Sequence, residues 1–165
     1  MRNTIKLTDP EIERIWKFVN HYFGYCYPTD FIPFIHFERF DLAMDMLSDE
    51  DLEGSAHNKY EIERAKGYTK EQKIEVCEGV DGIVLKQSGV LHVWIFPDRI
   101  IGNSRNNRGL AREFLRKGYT LKDYTELVLM HELAHILEHI TDRQLLVSPK
   151  QDIEMFINYR RKTEN

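Results

Sequence analysis

Apolar residues recur along this chain at two different periods, and the change of period divides it into parts. Ile12, Ile15, Trp16, Val19 and Phe23 return every three to four positions, the spacing of a helix that buries one face. Thr8 and Glu11 stand where a capping box would sit, Pro10 suits the first turn, and Gly24 ends the run. Phe34, Phe37, Phe40, Leu42, Ala43, Met44 and Leu47 predict a second helix over about 33–47, after an aromatic, proline-containing loop. An acidic loop is expected over 48–58 and a short helix over 61–66. Thr69, with Gln72 three positions on, starts another helix.

The period changes at Gly82. Ile83–Leu85 and Val90–Phe96 are β-prone runs separated by Gln87-Ser88-Gly89, which predicts a hairpin. On the second strand Val90, His92, Trp94 and Phe96 share one face, and Leu91, Val93 and Ile95 share the other. A polar loop over 102–109 and a short helix over 110–117 are expected next. Thr120 and Asp123 then cap a long helix over 120–140 whose apolar residues cover most of its circumference, so it is expected to be buried. Ser148-Pro149 opens a last helix over 149–161. No stretch reads as a linker. The expected architecture is a single α+β domain: a helical part over 8–75, the hairpin over 82–96, the long helix and the C-terminal helix.

The long helix carries the chemistry. Residues 131–135 read His-Glu-Leu-Ala-His. Positions i and i+4 of a helix lie about 40° apart around the axis and about 6 Å apart along it. His131 and His135 therefore point the same way and can grip one zinc ion. Glu132, turned about 100° from His131, stays out of the metal's shell but within reach of a metal-activated water, for which it would be the general base. The plain alternative is a pair of hydrogen-bonded structural histidines. An ionisable trio on a buried helix is costly unless satisfied, which favours the metal.

A third ligand is less clear. His139 continues the ladder but lies about 12 Å along the axis from His131, so a place behind the site or facing substrate suits it better. Glu138 is placed with it. No histidine follows His139, so an acid of the last helix is the natural candidate. Between His135 and Glu154 lie the 18 residues 136–153, a spacing that resembles the gluzincins and favours Glu154. Helical geometry favours Asp152 in its place, because Asp152 lies near the apolar face of Ile153, Met155, Phe156, Ile157 and Tyr159. Tyr159, Arg160, Tyr124 and His92 are possible substrate-facing groups, each with an ordinary core or surface role as the plain alternative.

Leu127–His139 resembles the active-site helix of the ImmA/IrrE-type metallopeptidases, which often read HELGHxxxH. Asp152-Ile-Glu-Met-Phe156 is loosely similar to the acid-bearing segment of that family, without its alanine and asparagine. The resemblance implies a minimal zincin-like fold, Zn2+ and cleavage of a protein or peptide substrate. HELAH after a hairpin also resembles the SprT-like proteases, which act on DNA-bound proteins, although their downstream third histidine is absent here.

Composition adds bounds. A net charge of −4 argues against strong general affinity for nucleic acid. Yet Arg99–Lys122 carries Arg105, Arg108, Arg112, Arg116 and Lys117, and leaves room for an acidic partner or nucleic acid at 99–122. Asp41, Asp45, Asp49, Glu50 and Asp51 form an opposing acidic run. No run approaches the roughly 18–20 apolar residues that span a bilayer, and no signal-peptide pattern opens the chain, so no membrane partner and a cytoplasmic location are expected. Cys26 and Cys77 have no metal-site spacing and are expected to be reduced and mostly buried. The expected function is a zinc metallopeptidase. The alternatives are a DNA- or protein-binding regulatory module with a structural or vestigial metal site, and a metal-dependent hydrolase of some other bond.

Overall fold

The computed structural model describes residues 6–53, 67–77, 80–105 and 109–163. Helix α1 (Asp9–Tyr22) opens on the expected capping box, with Thr8 and Glu11 bonding each other's backbone N–H. The stretch expected to form one helix over 33–47 is divided. Phe34–Phe37 is strand β1, and only Phe40–Met46 is helical, as α2. The reason is tertiary. β1 pairs in parallel with a strand nearly sixty residues later, Phe34 beside His92 and Phe37 beside Ile95. Local periodicity cannot report such a partner. Part of the expected acidic loop is a short helix, α3 (Asp49–Glu53). The helix expected over 61–66 lies outside the described residues. α4 (Lys70–Cys77) begins at the Thr69–Gln72 capping box.

The hairpin is present as β2 (Gly82–Gln87) and β3 (Val90–Ile95). Its two-residue turn, Ser88-Gly89, has positive φ at both positions, the tight turn whose twist suits antiparallel strands. The sheet has the order β1-β3-β2, parallel on one side of β3 and antiparallel on the other. Pro97–Arg105 is a helix, α5, that runs through Gly102 where a loop was expected to begin. α6 spans Gly109–Arg116.

α7 (Leu121–Thr141) is the longest element and carries both cap bonds between Thr120 and Asp123. α8 (Pro149–Thr163) returns alongside it. Contacts between the two run in opposite order: His131 meets Asp152, while Asp123 and Glu126 meet Arg160. They are antiparallel neighbours joined by a short connection.

The alternation read on β3 now has a cause. Val84, Val93 and Ile95 face α7 and join the larger core with Trp16, Phe114 and Phe156. Ile83, Leu85, Trp94 and Phe96 face the other way and pack with Phe40, Met44, Leu47 and Leu52. The sheet is thus covered on both faces. α7 lies under one of them, buried from Asp123 to Met130 and again at Glu132–Ala134. Among the described residues no helix is long and apolar enough to cross a membrane. Cys26 is free, as expected, but exposed where burial was expected.

Candidate metal centre

His131 and His135 leave α7 on one side, and their rings meet edge to face. Their Nε2 atoms are 3.1 Å apart. Each ring is held from behind by a carboxylate. Both oxygens of Asp152 lie 3.0 Å from His131 Nδ1, and Glu138 Oε1 lies 2.6 Å from His135 Nδ1. A carboxylate accepts and cannot donate, so each Nδ1 carries the hydrogen. In the neutral rings the two Nε2 lone pairs are then close together with no proton between them. Such a pair attracts a cation. Two nitrogens on one tetrahedral zinc, each at about 2.0–2.1 Å, lie roughly 3.3–3.4 Å apart, close to the separation found.

The local electrostatics favour positive charge here, and in the metal-free chain a proton on His131 supplies it, which a metal would displace. Burial alone would lower the pKa of His131. The hydrogen bond that His131 donates to Asp152 and the charges of Glu132, Asp152 and Glu138 outweigh it and hold the group up at about 9. Burial would likewise raise Glu138, but the N–H groups of Leu146, His135 and Leu145 keep it below the usual carboxylate range.

Glu132 lies against the start of β2 at Gly82. It is 5% exposed, and its Oε2 has no hydrogen-bond partner. Burial pushes its pKa up to about 7. The charge of His131 opposes this, and Asp152 and Asp81 add to it. A buried carboxyl oxygen with nothing bonded to it is costly and calls for an occupant such as water. Gly82, which Glu132 lies against, has the adjoining strand as its close neighbour. A Cβ there would lie 3.0 Å from the Trp94 carbonyl oxygen and 3.4 Å from Glu132 Cγ. The start of β2 is clamped to α7 through Asp81, which accepts from Tyr124 Oη and from Asn103 Nδ2 and whose carbonyl accepts from Phe96 N–H. Tyr124, raised above its ordinary pKa by burial and by Asp81, is a neutral donor in this clamp.

Of the two competing acids, Asp152 is brought to the histidines and Glu154 is not. Glu154 is exposed and acts electrostatically on Tyr22. Asp152 sits behind His131 at Nδ1, on the side away from Nε2, where it orients the ring. Among the described residues no group of three or more His, Cys, Asp or Glu is assembled as a metal cage. His139 is exposed and lines an open cleft of about 660 Å³ with His135, Arg143 and Leu146. Tyr159 and Arg160 lie toward the other end of α7. Tyr159 packs in the core against Phe18, and Arg160 pairs with Asp123. His92 lies on the far side of the sheet, bonded to His36. The basic run is divided. Arg99 stacks on Phe40 and Lys122 pairs with Glu11, while Arg112, Arg116 and Lys117 are exposed around α6.

Sequence reasoning missed Asp81, Asn103 and Gly82. They act only through where β2 lands on α7, and nothing local announces that. No protein-family model, no curated protein and no solved structure matches the chain.

Proposed function

We propose that this chain is a zinc-dependent hydrolase of minimal zincin type that cleaves peptide bonds. One observation carries the reading: two imidazole Nε2 atoms converge at 3.1 Å while both Nδ1 atoms are fixed by carboxylates. That arrangement sets ring orientation and tautomer as metal-binding histidines require. His131 and His135 would hold the zinc. When bound, zinc supplies a Lewis acid that polarises a carbonyl and acidifies a water. Glu132 accepts a proton at Oε2 from the attacking water and returns it to the leaving amine. Asp152 and Glu138 keep the two rings aligned.

The test is direct. Purified protein reconstituted with zinc should retain one equivalent after gel filtration and cleave a fluorogenic mixed-peptide library. Glu132→Gln should keep the zinc and lose turnover by about 10²–10⁴-fold. A wild-type protein that retains no zinc, or a Glu132→Gln variant that cleaves at the wild-type rate, overturns the reading. A second reading, a module that binds an acidic partner or nucleic acid around a structural metal, is favoured by the exposed Arg112, Arg116 and Lys117. It requires salt-sensitive binding without cleavage.

A further inference from the structure

The connection between α7 and α8 is hung from side chains. Asp142 closes α7 in the left-handed conformation. In the stretch 144–148 that follows, Leu145 and Leu146 donate their N–H groups to Glu138 Oε2 at 2.7 and 3.0 Å. On the other side Gln151 donates Nε2–H to the Leu145 carbonyl at 3.0 Å and accepts the Val147 N–H at 2.9 Å. Val147 itself is exposed. Glu138 therefore has two tasks. One oxygen holds two amides of the connection, and the other, 2.6 Å from His135 Nδ1, holds a ring of the candidate centre. The same connection supplies Gln144 and Leu146 to the wall of the cleft that His135 also lines.

These two tasks are not independent. A cation on Nε2 draws electron density from the imidazole, which makes Nδ1–H a stronger donor and the bond to Glu138 a firmer one. A firmer bond at Oε1 fixes the carboxylate's rotamer, and a fixed rotamer presents Oε2 to the two amides. With the ring free to turn, the carboxylate loses one of its three partners and the connection loses its anchor on α7.

We propose, resting on the zinc reading above, that Glu138 is a positioning residue coupling metal occupancy at His135 to the ordering of 144–148. One wall of the substrate cleft is then completed when the metal binds. An apo protein would carry a loosened cleft, and zinc loading would assemble ligand geometry and substrate wall together.

Amide hydrogen exchange read by NMR tests this on the full chain, zinc-free and after titration with zinc chloride. Zinc uptake is measured on the same samples by competition with a chromophoric chelator. The expected result is slower exchange at Leu145 and Leu146, by about fivefold or more at saturation, with Leu127 and Val128 inside α7 unchanged as the reference. Glu138→Gln offers one acceptor where two are needed. It should weaken zinc binding by about 10–100-fold and, once saturated, show no zinc response at Leu145 and Leu146. A zinc-saturated wild type whose two amides exchange as in the apo protein overturns the coupling and leaves the metal reading standing. A saturated Glu138→Gln that keeps the full response removes Glu138 from the path and also overturns it. A wild type that takes up no zinc, shown by the chelator, overturns the metal reading and the coupling with it.

Discussion

Among the described residues a pair of histidines on α7 and a pair on the sheet each approach closely, and their surroundings are opposite. His36 Nε2 and His92 Nδ1 are 2.9 Å apart, with the rings nearly parallel at 8°. His36 stacks on Trp94 and His92 on Phe34. This contact joins a nitrogen of one kind to a nitrogen of the other, and one ring donates while the other accepts. The pair is satisfied while neutral. Burial, and for His36 the neighbouring His92, lowers both pKa values, with Asp51 opposing at His92. His131 and His135 make an Nε2–Nε2 contact instead, with both Nδ1 hydrogens already given to Asp152 and Glu138. Those carboxylates turn the same side chains into a site that draws positive charge. The lesson is that proximity of two imidazoles says little, and what stands behind them decides whether a cation is wanted.

The largest expected effect separates the pairs outright. His131→Ala or His135→Ala should abolish stoichiometric zinc retention, measured by elemental analysis, whereas His92→Gln should leave it at one equivalent. Loss of zinc on changing the sheet pair would break the contrast. Next, Asp152→Asn keeps one acceptor but removes the charge behind His131, and zinc affinity should fall by about 10–100-fold. Unchanged affinity in a chelator titration would mean that the carboxylate does not tune the ring. Smaller again, Gly82→Ala brings a Cβ to 3.0 Å from the Trp94 carbonyl oxygen, so β2 must shift where it lies beside Glu132. Turnover should fall on the order of tenfold through misplacement of the base, with zinc content unchanged. A parallel loss of zinc would show that the effect is not confined to Glu132.

The smallest effect is in the sheet pair's response to pH. Both rings have folded pKa values below 6.5 and return to that value on unfolding. As pH falls below 6.5, the unfolded chain takes up protons that the folded pair refuses. Their contribution to stability is therefore fully present above 6.5 and declines from there toward the folded values. Melting temperature should drop less steeply between pH 7 and 5 in His92→Gln than in the wild type, and an identical slope would place the pair outside the titration.

Much of this was readable one residue at a time. The capping boxes at Thr8, Thr69 and Thr120, the Ser88-Gly89 turn and the alternation along β3 depend on neighbours within a few positions, and each is found where the pattern put it. The exceptions are β1 and α5. β1 is made a strand by a distant parallel partner, and α5 keeps Gly102 helical as it packs beside α7 and α6. The choice between Asp152 and Glu154 was open for the same kind of reason. Spacing favoured one acid and helical face the other, and neither says how far along α7 the last helix is docked.

By itself the sequence determined an α+β chain with a capped helix that carries two histidines one turn apart, and an adjacent glutamate turned off their line. Those follow from helix geometry and from caps that close within three residues. Only the tertiary structure decided that Asp152 stands behind His131, that a buried Glu132 lies against Gly82, and that Glu138 reaches both a ring and the connection to α8. Each depends on the docking of one element against another, which burial of apolar faces sets over the whole core and no short stretch encodes.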